Sequence, residues 1–116
     1  ACTALGRAIA AHLPDDRLTH LLRTTPLEKR TPHTVIDPAA IRELLATARE
    51  AGYAVEENET DIGVMCVGAA VFDPTGVVGA LSLSAPTARA DAGRRAGWVE
   101  QLKAAADRVT ARLRAA

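Results

Sequence analysis

Two short stretches carry the side chains best suited to chemistry. In "GVMCVGAAVFD" and "GALSLSAP", Cys66, Ser82 and Ser84 stand at alternating positions among apolar residues. A thiol or hydroxyls at that spacing fall on one face of a pleated strand, where they can exchange hydrogen bonds with a small polar molecule. Catalysis needs more. A thiol nucleophile wants an activating base or a resolving partner, and no Cys/His or Ser/His/Asp signature accompanies these residues. His12, His20 and His33 lack metal-ligand spacing, and Cys2 with Cys66 makes neither a zinc motif nor a disulfide framework. No glycine-rich phosphate loop follows a strand. The residues point to binding, and neither a metal nor a cofactor is expected.

Which of them share a face depends on the turn "DPTG" between the stretches. Proline at its second position and glycine at its fourth read as a type I turn followed by a glycine bulge, a loop of about three residues. Counting outward, Asp73 faces Val77, Phe72 pairs with Val78, Ala70 with Ala80, Gly68 with Ser82, and Cys66 with Ser84. One face then holds Val64, Cys66, Gly68, Ala70, Ser82 and Ser84, and is small and semi-polar. The other holds Met65, Val67, Ala69, Val71, Leu81 and Leu83, and is expected to carry the helices. In "YAVEEN" the same alternation sends Glu56 to the semi-polar side if Tyr53 and Val55 face the core.

The flanking elements follow from period and caps. Thr3 can cap a first helix whose inward face would be Leu5, Ala8, Ile9, His12 and Leu13. "DDRLTHLLRT" reads as a second helix with Leu18, Leu21 and Leu22 inward, and "TPLEKRTPHTVI" as a loop. Asp37, Pro38 and Gly52 bracket a third helix over the stripe Ile41, Leu44, Leu45 and Ala48. Asp91 can cap a last helix with Trp98, Leu102, Ala105, Val109 and Leu113 on one side. Three helices, three strands and a helix describe an α+β domain with an antiparallel meander.

Composition narrows the class further. The 116 residues suit one small domain, and 14 basic residues balance 14 acidic ones. No basic stripe offers a footprint for nucleic acid or an anionic membrane. The apolar stretches are too short to cross a bilayer, and no secretory leader is evident, so the expected compartment is the cytoplasm. The chain opens at Ala1 inside what reads as an element, which is expected of a piece of a longer protein.

Taken in order, "TALGRA", "GYAVEENE", "GVMCVGAAVFD" and "ALSLSAP" resemble the effector-binding domain of IclR-type transcription regulators, over essentially the whole chain. The resemblance implies a GAF-like (profilin-like) fold with helices packed on one face of the sheet. It also implies an absent N-terminal winged helix-turn-helix domain and absent first strands. Such domains sense a small metabolite, often a carboxylic or aromatic acid, and assemble as dimers or tetramers. DNA would be reached only through the absent domain, and no membrane partner is implied. Carried onto this chain, the effector contacts are the backbone of Ala4 and Leu5, with Cys66, Ser82 and Ser84, while Val64 and Glu56 line the same region.

That chemistry suits an acid. A helix start offers unpaired N–H groups to a carboxylate, the serines supply adaptable donors, and Val64 with Leu5 supplies an apolar wall. Glu56 would repel an anion, so it is expected to meet a hydroxyl or amide of the ligand, or to carry a proton. Two other classes remain open. One is a ligand-free dimerisation or tetramerisation module. The other is a GAF-like thiol enzyme using Cys66, with Cys2 as a conceivable resolving thiol; the resemblance implies no enzyme.

Overall fold

The computed structural model describes residues 3–115. The elements run α1 (Ala4–Ala10), α2 (Asp15–Thr24), α3 (Pro38–Ala51), β1 (Ala54–Glu57), β2 (Val64–Asp73), β3 (Gly76–Pro86), a 3-10 turn (Thr87–Arg89) and α4 (Ala92–Ala115). Side-chain caps set three of the helix starts. Thr3 Oγ1 accepts from the Gly6 amide at 3.0 Å, Asp37 from Ala40 at 3.2 Å and Asp91 from Arg94 at 2.8 Å. Pro38 opens α3, and Gly52 closes it in the left-handed conformation at φ 85°.

The strands form one antiparallel sheet in the order β1-β2-β3, with β2 central. Gly68 pairs with Ser82 and Cys66 with Ser84, as the alternation predicts. The turn itself is tighter than expected. Asp73 pairs with Gly76 and Phe72 with Val77, leaving only Pro74 and Thr75 in the loop. The Asp73 carboxylate takes the Thr75 amide at 2.7 Å, which stabilises this short form. A bulge at Val71/Phe72 then absorbs the extra residue on β3, so the register is restored from Val71 and Gly79 onward.

Helices cover both faces of the sheet, which corrects the expectation of helices on one face only. On the apolar face, Met65, Val67, Ala69 and Val71 pack with Leu102 and Ala106 of α4, and Tyr53, Trp98 and Val99 fill in around them. Burying the Met65 and Val67 side chains contributes about 1.5–3 kcal/mol each. The opposite, semi-polar face receives α1, backed by α3 and α2. There Ala8, Ala10 and Ala11 join Ile41, Leu45, Ala48 and Ala54 in a second cluster, with Leu18, Leu21 and Leu22 packed against it.

The inward side of α1 is not the leucine stripe. Ala4, Arg7, Ala8, Ala10 and Ala11 are buried, while Leu5 is 40% exposed. Small side chains win because the helix must lie directly on the strand backbone. A Cβ on Gly68 would stand 2.4 Å from the Ala4 carbonyl oxygen, so only glycine permits this approach. Val55, Val109 and Leu113 also lie more exposed, at 39%, 38% and 38%, than a core assignment implies.

Arg7 is 3% exposed and pairs with Glu59 through two bonds, 2.6 and 2.8 Å long. The same carboxylate accepts the Val35 amide at 2.9 Å, and the Thr34 hydroxyl donates to the Glu59 carbonyl. Burial pushes the Glu59 carboxyl up, but the Arg7 and Val35 donors outweigh it and hold the group below its ordinary value. The Thr31 hydroxyl donates to the Asn58 carbonyl nearby. Together these bonds fasten α1 and the long loop before α3 to the segment after β1.

Gly68→Ala should lower stability by about 1–3 kcal/mol through overpacking. Gly79→Ala, where the new methyl meets nothing within 4 Å beyond its own chain neighbours, should change it by less than about 0.5 kcal/mol. Urea midpoints of the two variants compare them directly. Arg7→Met strands a buried carboxylate and should cost about 3–5 kcal/mol, much of it recovered in the double variant Arg7→Met/Glu59→Leu. Equal losses in the single and double variants would show that the pair's charge is not what matters.

Candidate functional site

The strand register assembles the candidate site in two rows across the sheet. Glu56 of β1 lies opposite Cys66 of β2, which lies opposite Ser84 of β3. In the adjacent row, Ala54, Gly68 and Ser82 stand side by side. Because pairing residues point to the same face, Glu56, Cys66, Ser84 and Ser82 form one polar patch on the side that α1 covers in part. Val64, two residues before Cys66, extends the patch toward Pro86, its partner on β3.

The absent Cβ of Gly68 brings α1 to the edge of this patch. The position a Gly68 Cβ would take is 3.1 Å from the Leu5 nitrogen. The first N–H groups of a helix have no partner within it, so the backbone at Ala4 and Leu5 offers donors there. All of the predicted residues thus occupy one region. Ser82 and Ser84 are exposed on the edge strand, which makes the patch an open floor with α1 as one wall. Leu5 is 40% exposed, so its apolar contribution is smaller than expected.

Cys66 Sγ and Ser84 Oγ are 3.1 Å apart and share a hydrogen bond. Burial raises the Cys66 thiol above its ordinary value; the Ser84 contact pulls the other way, and the Glu56 carboxylate pushes it further up. A thiol held protonated is a poor nucleophile, which argues against covalent chemistry at this position. Cys2, named as a conceivable resolving thiol, lies outside the described residues. Among the described residues, no three His, Cys, Asp or Glu side chains are grouped to hold a metal ion.

Glu56 is the most enclosed member of the patch, at 1% exposure. Its Oε1 accepts the amides of Glu59 at 3.1 Å and Thr60 at 2.6 Å. Its Oε2 is buried, with the facing Cys66 thiol as the side chain that interacts with the carboxylate. A cleft of about 240 Å³ lies elsewhere, between Thr3 and the loop residues Leu27, Glu28, Arg30 and Val35, and none of the patch residues lines it.

Comparison with known proteins decides the family. The profile of the bacterial transcriptional regulator IclR C-terminal family matches residues 1–111. This chain belongs to the IclR family. It is 35% identical over 85 residues to the HTH-type transcriptional repressor AllR of Escherichia coli K12, covering 72% of this chain and 31% of AllR. The chain thus spans under a third of the length of that relative. Its fold matches the IclR crystal structure from Thermotoga maritima with a TM-score of 0.93 at 32% identity, over 97% of this chain and 46% of the other. It also matches the C-terminal domain of the E. coli transcriptional regulator KdgR, with a TM-score of 0.90 at 32% identity, over 97% and 69% of the two chains. These relatives are regulators rather than enzymes. No helix among the described residues is long and apolar enough to cross a membrane.

One support of this candidate site escaped the sequence reading. Arg7 and Glu59, which stand in the motifs "TALGRA" and "GYAVEENE", pair with each other and hold α1 and the loop in place, and that pairing was not foreseen. The signal was the spacing Ala4, Ala8, Ala11 with Arg7 inside it, a stripe of small residues at helical period that a leucine-based face conceals. The thiol offers a direct check. In a Cys2→Ser background, iodoacetamide should alkylate Cys66 at pH 8 several-fold more slowly than free cysteine. Alkylation at or above the free rate would show an activated thiol.

Proposed function

We propose that residues 1–116 form the effector-binding domain of a one-component transcription regulator and that a small organic acid binds on the patch formed by Glu56, Cys66, Ser82 and Ser84. The observation that carries this reading is the convergence of that patch with the start of α1. A carboxylate set between them would meet the backbone N–H groups at Ala4 and Leu5 and the two serine hydroxyls, with Val64 beside it. The exposed serines leave the patch open to a molecule arriving from solvent.

The rest of the reading rests on family membership. An effector domain acts on DNA through another domain, so the operator contact belongs to a winged helix-turn-helix segment outside this chain. Homodimers or homotetramers formed through the effector domain, and a cytoplasmic setting, accompany that role. The printed names of AllR and KdgR describe transcriptional regulation, which supports the same assignment.

Thermal unfolding of the chain against small carboxylates tests the proposal. The panel runs from two-carbon acids through dicarboxylates to hydroxybenzoates and phenylacetates, at constant pH and ionic strength. An acid at a hundred times its Kd should add about 2.7 kcal/mol of stability. That gain should be largely lost in Ser82→Ala and Ser84→Ala. A flat panel on cooperatively folded protein, with self-association intact in both serine variants, would instead favour an assembly module without a ligand.

A further inference from the structure

The helical layer outside α1 is not closed. A slot of about 120 Å³ lies between the half-buried Leu18, Leu21 and Leu22 of α2, Ala10 of α1, and Ile41 and Leu45 of α3. Protein interiors are packed as densely as organic crystals and leave few voids larger than a water, so a gap of this size is exceptional. Apart from Arg7 and the exposed Thr25, its walls are hydrocarbon side chains. The Arg7 guanidinium is committed to Glu59 and to the Val55 carbonyl. Water stays in such a space only with several polar partners, and an apolar cavity remains dry.

We propose that this slot is a second ligand site, separate from the polar patch, and that it takes one small neutral aromatic ring. An engineered cavity of about 150 Å³ lined by leucine, isoleucine and phenylalanine binds benzene or xenon. The slot is slightly smaller and similarly lined, so it fits a single ring without long substituents. Each carbon placed there supplies dispersion contacts that the leucines otherwise lack. A charged group would lose its hydration among these methyls, so ions are excluded. The way in is α2, which has no fully buried residue and no side-chain cap at its start. Bonds from Arg42 to Thr19 at 2.7 Å and to Asp15 at 3.3 Å hold its first half, and its second half rests on Leu21 and Leu22. Segments so lightly held open locally at low cost. The body of α1 divides the two sites: the Ala4 carbonyl sits on Gly68 of the sheet, while Gly6 and Ala10 line the slot.

Titrations of the intact chain with benzene, indole and benzoate test this, read by methyl NMR and by thermal unfolding. Benzene should shift the methyls of Leu18, Leu21, Leu22, Ile41 and Leu45 in a saturable way. At ten times its Kd it should raise Tm by roughly 5 °C. Indole is too large and benzoate is charged, so both should leave those five methyl groups unmoved, even where benzoate binds elsewhere on the chain. Substitutions at Ala10 fill the slot by degrees. Ala10→Val should weaken benzene binding severalfold, and Ala10→Leu should abolish it. The smaller change keeps the test open if leucine overpacks the site. Unshifted methyls in the unsubstituted chain, benzene binding undiminished in Ala10→Val, or an equal response of these methyls to benzoate would each overturn the inference. Benzene carries no carboxylate, so its failure here would leave acid binding at the patch standing, and a flat acid panel would leave the slot standing.

Discussion

The close approach of α1 to β2 at Gly68 is the constraint on which the rest of the structure depends. A helix seated over a strand with ordinary side chains between them stands well off the sheet. Here the Ala4 carbonyl oxygen lies 2.4 Å from where a Cβ would be, so backbone rests on backbone. That approach dictates the alanines at 4, 8, 10 and 11, all of which are buried. It also brings the backbone at Ala4 and Leu5 to the margin of the polar rows. A larger side chain at 68 would separate the two halves of the candidate site before it changed any of its functional groups.

Close seating alone does not hold so short a helix. At 7 residues, α1 is far below the length at which an isolated helix persists in water. The Arg7–Glu59 pair supplies the attachment, and its geometry explains why it is tolerated inside. Two charge-assisted bonds satisfy the guanidinium and the carboxylate together, and the Val35 amide takes a further site on Glu59. Replacing both partners with apolar groups can be nearly neutral, because the desolvation of two ions offsets most of their attraction. The pair's value is therefore positional. It sets the rotation of α1 about its axis, which in turn sets where the first-turn N–H groups point.

Most of the framework was legible because it is encoded locally. Asp37, Pro38 and Gly52 delimit α3 by side-chain chemistry alone, and the pairing of Cys66 with Ser84, which the reading rested on the turn, holds because the bulge at Val71/Phe72 compensates the tighter loop. The turn was misjudged because two solutions differ by one residue: a bulge inside the loop, or a two-residue loop with the bulge moved into β3. Local residue preferences do not choose between them. The buried side of α1 was misjudged for a different reason. Hydrophobicity ranks leucine above alanine, whereas close packing on a glycine ranks them in reverse, and nothing within α1 announces that its partner at position 68, far along the chain, lacks a side chain.

The covering of both sheet faces has the same origin and changes what the polar patch is. A sheet with helices on one side would leave the semi-polar side a solvated surface, and serines there would carry little meaning. With α1 and α3 on that side, part of it becomes interior, and the Glu56 side chain is enclosed at 1% exposure while Ser82 and Ser84 stay open on the edge strand. Polarity thus grades from a buried carboxylate to exposed hydroxyls within the width of three strands. Such a gradient favours a small ligand with one end in water and one end desolvated. The buried end gives selectivity, since an unmatched group there has no water to fall back on, while the exposed end can accommodate variation at lower cost.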